Sequence, residues 1–445
     1  MQIQPSDITP PMTPERAAAT AATLDLRQLP TDFLHNPYPV YAWLQANDPV
    51  RHMPDGSLFL TRHADLTAVY RDAATFSSDK HVEFAPKFNL PPHGSAEQPA
   101  PLYLHHTTSL VFSDPPLHTR VRQLIMGALT RRAIADMEAG LVQLVDGLLD
   151  RLEAEGGGDL VEDFAAAIPI EVIGNLLGVP MDERGPLRDW SLAILGALEP
   201  ALTPEQHARG NQAVTDMLDY LATLVARRRQ QPGDPQRDVL TRLIQGEGEH
   251  GRLSEAELLH NCIFLLNAGH ETTTNLIANA LVLWQEQPAA YAGLLRLVSD
   301  GNRPIGNDIG SGHTALEATW ARAVDEVLRL ESSNQLGNRR ALRDTTVGGM
   351  PVPAGTLLTL CIGAANRDPA VFPNPQTPDW SREPNRHLAF GLGVHQCAGL
   401  SLARLEGRIA LGRFVQRFPG YRLTAAPQRG GRARFRGFLH APFVV

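Results

Sequence analysis

The sequence predicts a mainly α fold with a small β-rich part, an α+β arrangement. Three observations point there. Helical patterning dominates from Pro116 to Ile244, a single helical segment runs unbroken from Ser254 to the stop at Pro288, and strand-like runs are short and confined to the first 61 residues and the stretch after residue 345. Taken in order, residues 1–30 are polar and rich in Ala, Pro and Thr and read as a loose tail, leaving 31–445 as one domain. Asn36-Pro37-Tyr38-Pro39 starts a short helix that ends near Asn47. Pro49–His52 and Ser57–Thr61 flank Pro54-Asp55-Gly56 as a hairpin, and a helix follows at about Ala64–Arg71. Residues 79–112 hold five prolines without a clear period and read as a long loop.

Gly156-Gly157-Gly158 and Gln231-Pro232-Gly233-Asp234-Pro235 punctuate the helices that follow. Ser254 opens the longest helix, with a capping box to Glu257 and a hydrophobic staple between Leu253 and Leu258. Its roughly 32 residues span about 48 Å at helical rise. It is apolar on most faces and so belongs inside a large core. Ser299–Thr314 contains four glycines and reads as a surface loop, and a helix covers about Leu316–Leu330. Short strands are expected at Thr346–Val347, Leu357–Leu360 and near Arg434–Leu439, and no internal repeat is present.

Composition bounds the function. At 43% hydrophobic and 20% charged residues, the 445-residue chain can bury a large core and a prosthetic group. The net charge of −8 does not suggest a nucleic-acid partner. Cys262, Cys361 and Cys397 are too few and too dispersed for a disulfide framework, and fit a reducing cytoplasm. Met1–Leu24 lacks a basic stretch followed by an apolar run, so no secretory signal is read. The longest apolar candidate, Leu258–Trp284, carries Asn261, Asn267, His270, Glu271, Asn275 and Asn279, which are costly in lipid. A soluble chain without a membrane span is expected.

The most informative stretch is Phe390-Gly391-Leu392-Gly393-Val394-His395-Gln396-Cys397-Ala398-Gly399. It sets one cysteine on a glycine-rich loop leading into an apolar helix. Its glycines allow a flat ligand to approach closely. A thiolate at a helix N-terminus gains from the dipole and the free N–H groups, so Cys397 should ionise readily. Such a thiolate suits an axial ligand of heme iron. A buried structural cysteine and a zinc site built on His387, His395 and Cys397 are the alternatives, the latter lacking a fourth ligand.

The spacing resembles the heme-ligand loop of the cytochrome P450 family, Phe-Gly-x-Gly-x-His-x-Cys-x-Gly. Further motifs are similar in the family's order. Ala268-Gly269-His270-Glu271-Thr272 lies at the midpoint of the long helix. The Thr272 hydroxyl can bond the carbonyl of Ala268 and bend the helix into a notch, with Glu271 beside it as a proton relay. The other reading of Glu271 is an ion pair with some arginine. Glu326 and Arg329, at i and i+3, resemble the family's buried Glu-x-x-Arg, which implies a third partner before the cysteine, Arg382. The segment Asp114–Arg122 resembles the family's pre-heme helix start. His118 and Arg122 share a face, and with Arg339 (or its neighbour Arg340) and His395 they form the set implied for the heme carboxylates. Ala365-Asn366-Arg367-Asp368-Pro369 is also similar to a family segment.

The resemblance implies heme b as cofactor, Cys397 as metal ligand, Phe390, Gly391, Gly399 and Ala268 against the heme, and Thr272 and Glu271 as catalytic residues. It implies substrate contacts from Phe84, Phe88, Leu104, Leu110 and Phe112, from Phe264 and Asn267, from Gln335, Leu336 and Asn338, and from Arg434 and Phe435. The expected activity is insertion of one oxygen atom of O2 into a small, mostly apolar molecule by a monomer. Electrons would come from an external ferredoxin and its reductase, since no flavin- or iron–sulfur-binding segment is read. A peroxide-driven hydroxylase and a non-catalytic heme-binding sensor are the rival readings. Arg120, Arg131, Arg132, Arg404 and Arg408 are expected to form a basic docking patch near the cysteine.

Overall fold

The computed structural model describes residues 12–87, 99–235, 238–246, 252–301 and 311–445. The long helix, Glu255–Glu286, organises the molecule. Its start is fixed as the sequence suggests: the Ser254 hydroxyl accepts from Glu257 N–H at 3.2 Å while the Glu257 carboxylate accepts from Ser254 N–H at 2.8 Å. Its second half, Thr273–Trp284, is buried on every side. Leu276–Trp284 packs into one core with Leu141, Val145 and Leu148 of helix Arg131–Glu155, Val324 and Val327 of Ser311–Leu330, and Ile409 and Phe414 of Leu400–Arg417. Its first half faces a second core. There Leu258, Ile263 and Leu266 meet Val214, Met217 and Leu221 of helix Pro204–Gln230 and Leu177 of Ala167–Leu177. The site lies at the midpoint, where these two cores meet.

Beside the helices lies a five-stranded sheet, ordered Val50–His52, Leu58–Leu60, Leu357–Cys361, Leu336–Ala341, Phe76–Ser77. The hairpin and the Leu357 strand fall where sequence patterning puts them. The strand Leu336–Ala341, read from sequence only as a pocket-lining segment, pairs antiparallel with Leu357–Cys361 in the register Arg339↔Leu358. A separate three-stranded sheet joins Gly157–Asp159 to the last strand, Pro442–Val444, and to Arg422–Leu423. A Cβ at Gly157, at φ +144°, would lie 2.2 Å from the Phe443 carbonyl oxygen, so this glycine run is a pairing edge as well as a break.

Four expectations are corrected. Residues 12–30 are not a loose tail: Pro14–Ala22 is a helix capped by Thr13, and Ala17, Ala21 and Leu24 are buried against Phe33 and Tyr41. Alanine alone gives too little hydrophobic contrast to announce that face in the sequence. The stretch 79–112 is not one loop. It contains helices His81–Lys87 and Pro101–Thr108 and a 3₁₀ turn at Leu110–Phe112, with 88–98 outside the described residues. Pro101 occupies a first helical position, where its missing N–H costs nothing, so it starts a helix instead of breaking one. The stretch 299–314 is not all loop: helices Pro288–Gly301 and Ser311–Leu330 enter it from both ends, and 302–310 lie outside the described residues. Of the strand expected near Arg434–Leu439, only Phe438–His440 pairs, with Gln428–Arg429. Phe435 forms an isolated bridge to Asn334. Among the described residues no helix is long and apolar enough to cross a membrane.

Candidate active site

The glycine-rich loop takes its shape from two left-handed residues, Gly391 at φ +63° and Gly393 at φ +73°. A side chain at Gly393 would collide with the Tyr70 carbonyl, 2.2 Å from its Cβ position. The loop closes when Cys397 N–H donates to the Phe390 carbonyl at 2.9 Å, just before helix Leu400–Arg417 begins. Asp325 braces it from beneath, accepting from Arg404 Nε at 2.7 Å and pairing with His387 at 3.3 Å, while the Arg404 guanidinium sits 5.0 Å over the Phe390 ring. Burial pushes the Cys397 thiol above its ordinary pKa; the Gly399 N–H, Arg122 and Arg404 act the other way but do not reverse it. That corrects the expectation of ready ionisation. The helix terminus is outweighed by desolvation, and the thiolate needs a bound positive centre.

Cys397 opens onto a cavity of about 350 Å³. Phe390, Gly391, Gly399 and Leu402 line it on the cysteine's side, and Ala268, Thr272 and Leu276 line it from the long helix. At one margin four cationic or donor groups collect. Arg122 donates to the Gln396 carbonyl at 2.7 Å, and Arg339 to its neighbour Asn338 at 2.8 Å. The His118 and His395 rings lie 4.1 Å apart. His118 Nε2 is buried without a partner among the described residues. Burial, with Arg339, His118 and Arg122 nearby, drives His395 down to about 2. Among the described residues no carboxylate is ion-paired with Arg122, Arg339, His118 or His395, and the nearby Asp114 is taken up by Ser77 and Ser78. A thiol donor, a cavity with a glycine-lined wall and a buried cationic margin lacking its anions fit a flat metal-bearing group with carboxylate arms, as heme is. Arg339 lines this cavity and Arg340 does not.

In the long helix the Thr272 hydroxyl donates to the Ala268 carbonyl at 2.9 Å, and Ser333 donates to the Thr272 carbonyl at 2.7 Å. Gly269 leaves room for Ile173, 3.1 Å from where its Cβ would be. Glu271 is elsewhere. It is buried, takes Arg432 at 2.6 Å, and lines a second, smaller cleft with Arg188, Arg432, Thr274 and Asn275. Burial pushes its pKa up against the pull of Arg432. Adjacent helical residues point about 100° apart, so carboxylate and hydroxyl cannot share one notch. This corrects the expectation that Glu271 stands beside Thr272 at the cavity.

Beneath the site, Arg329 and Glu326 form a fully buried pair at 2.7 Å. Arg382 joins Glu326 at 3.1 Å, as do Asn385 Nδ2 at 3.0 Å and the Asp379 N–H at 2.9 Å. The two last partners carry no sequence signal.

Of the expected substrate contacts, Phe264, Asn267, Leu336, Asn338, Arg434 and Phe435 line the cavity, as do Phe84, Leu110 and Phe112. Gln335 does not. Its amide donates to the Ser332 carbonyl at 2.7 Å inside the core, which holds it away from the cavity. Leu104 is 39% exposed on the outer face of its helix, and Phe88 lies outside the described residues. Missed by sequence reading are the pair formed by buried Lys80 and half-buried Glu83 and the adjacent His105 and His106, which also line the cavity. The basic patch is largely neutralised. Arg120 pairs with Glu257, Arg404 with Asp325, and Arg408 with Glu138 and Glu317. Arg131 and Arg132 remain exposed at a helix start.

A family model described as cytochrome P450 matches residues 93–428. The chain is 35% identical over 386 residues to a vitamin D(3) 25-hydroxylase of Pseudonocardia autotrophica, covering 86% of each. It is 32% identical over 399 residues to a biotin biosynthesis cytochrome P450 of Bacillus subtilis (strain 168), covering 88% of this chain and 92% of that protein. Among solved structures, P450BioI in complex with hexadec-9Z-enoic acid ligated acyl carrier protein superposes with a TM-score of 0.81 at 30% identity, covering 93% of this chain and 99% of that one.

Proposed function

This chain belongs to the cytochrome P450 family and is a heme-thiolate monooxygenase, and from that premise we propose that it oxygenates a small, mostly apolar molecule using electrons from an external ferredoxin. The net reaction is R–H + O2 + 2 e⁻ + 2 H⁺ → R–OH + H2O. Heme b, when bound, supplies the centre at which O2 is reduced. The observation that carries the reading is the convergence of Cys397, the Thr272 notch and the cationic margin on one cavity.

Each residue then has a defined task. Cys397 Sγ is the metal ligand, with Asp325, His387 and Arg404 holding its loop. Arg122, Arg339, His118 and His395 receive the carboxylate arms. Thr272 Oγ1 has its proton committed to the Ala268 carbonyl, so its oxygen is left to accept from a water in the notch. Glu271, held by Arg432 in the second cleft, is the group we assign to proton entry from that side of the helix. The apolar walls exclude other water.

The test is turnover with a surrogate ferredoxin and reductase under ¹⁸O2. Substrate-dependent NADPH oxidation with one labelled oxygen in the product is expected. Product that forms only with added peroxide, or label drawn from water, contradicts the reading.

A further inference from the structure

Asn267 immediately precedes the notch residue Ala268 and lines the cavity, yet is 2% exposed. Neither its Oδ1 nor its Nδ2 has a partner among the described residues. Two other asparagines of the same helix are used by the fold. The Asn261 amide donates to the Glu257 carbonyl at 2.8 Å and accepts from Leu110 N–H at 2.9 Å, and Asn279 donates to the Arg436 carbonyl at 3.0 Å. Asn267 ties nothing together. Asparagine is also a poor residue for a helix interior, and its neighbours on this wall, Phe264 and Ala268, are apolar. A Leu or Val here would serve packing better, since a buried amide left unsatisfied costs free energy.

We propose that Asn267 is the specificity-determining residue of the pocket and that it recognises a cis-amide edge on the substrate, a lactam or primary carboxamide. A carboxamide presents one donor and one acceptor side by side in a plane. The group that completes both carries an acceptor and a donor in the same arrangement. A cis-amide does so: its N–H donates to Asn267 Oδ1 and its carbonyl accepts from Nδ2. An ester or ketone satisfies only Nδ2 and leaves Oδ1 buried and unpaired. An ionised carboxylate turns an anion toward Oδ1. The rest of the substrate then lies against Phe264, Leu336 and Phe435.

The inference rests on the monooxygenase reading, and its test is separable from it. Heme-loaded protein is titrated with 5-octyl-2-pyrrolidinone, its N-methyl derivative and the matching lactone, γ-dodecalactone, following the heme absorbance shift and the heat of binding. The three share carbon skeleton and carbonyl, and only the first carries the N–H. The lactam should bind about tenfold tighter than the other two, the worth of one buried hydrogen bond. Asn267→Leu should remove that preference without weakening the lactone, and Asn267→Gln, which keeps the amide on a longer arm, should retain part of it. Equal binding of lactam and lactone by the unaltered protein overturns the inference without any variant. So does a preference that survives Asn267→Leu. A chain that takes up no heme instead overturns the reading beneath it.

Discussion

At the scale of single residues, the site separates tasks that the sequence places side by side. Thr272 faces the cavity and Glu271 the second cleft, so their substitutions should fail differently. Thr272→Ala removes the hydroxyl that orders water in the notch and leaves the cavity walls intact. Heme content and substrate affinity should hold, while product formed per NADPH falls by at least about tenfold and hydrogen peroxide accumulates. Unchanged coupling would assign proton control to another group. Glu406 offers a pH test. It is buried on the cavity wall, and burial lifts its pKa from 4.5 to about 8. The folded state therefore holds a proton there that the unfolded chain has lost. Between roughly pH 4.5 and 8 this one group lowers stability as pH rises, and the loss is complete once pH passes the folded pKa. Glu406→Gln should flatten the melting temperature over that window relative to the unaltered protein. Parallel profiles for the two would remove Glu406 as the cause.

At the scale of elements, the best-supported prediction concerns the helix end beneath the site. Glu326 receives Arg329, Arg382, Asn385 and a backbone N–H with no exposure to water. Removing one partner strands a buried charge, so Glu326→Gln should cost about 3–5 kcal/mol and yield little heme-loaded protein. A soluble, heme-replete variant with an unchanged melting temperature would contradict this. The legibility of elements follows the same physics. The long helix was readable to its cap because Ser254 and Glu257 are local signals, and the hairpin because its turn residues are local too. The helix Pro14–Ala22 and the strand Leu336–Ala341 were not readable as such, since their burial comes from partners far along the chain. The same holds within the site. Cys397, Thr272 and the Glu326–Arg329 pair stand in spaced motifs, whereas Asn385, Asp325 and the Lys80–Glu83 pair acquire their roles only through folding. Gln335 and Leu104 were misplaced because a segment, not a side-chain direction, was read.

At the scale of the whole molecule, the two cores meet at the midpoint of one helix and leave the cavity between them, with the cysteine loop closing one side. A donor docked on that side would have the shortest path to the metal, which makes it the docking face we propose. Of the five arginines expected to form a docking patch, Arg120, Arg404 and Arg408 already hold acids, which leaves Arg131 and Arg132 of that set exposed for an acidic partner. Charge reversal at both should slow the first electron transfer several-fold at low ionic strength, with the difference fading as salt rises, and should leave substrate affinity alone. Reduction rates indifferent to salt and to both reversals would place docking elsewhere. The central claim, that this fold holds heme through the Cys397 thiolate, is tested most directly by the absorption spectrum of the reduced, carbon monoxide-bound protein. The account predicts the red-shifted Soret band of thiolate ligation, lost in Cys397→Ala; a band at the position typical of histidine ligation in the unaltered protein, or a red-shifted band that survives the substitution, would contradict it.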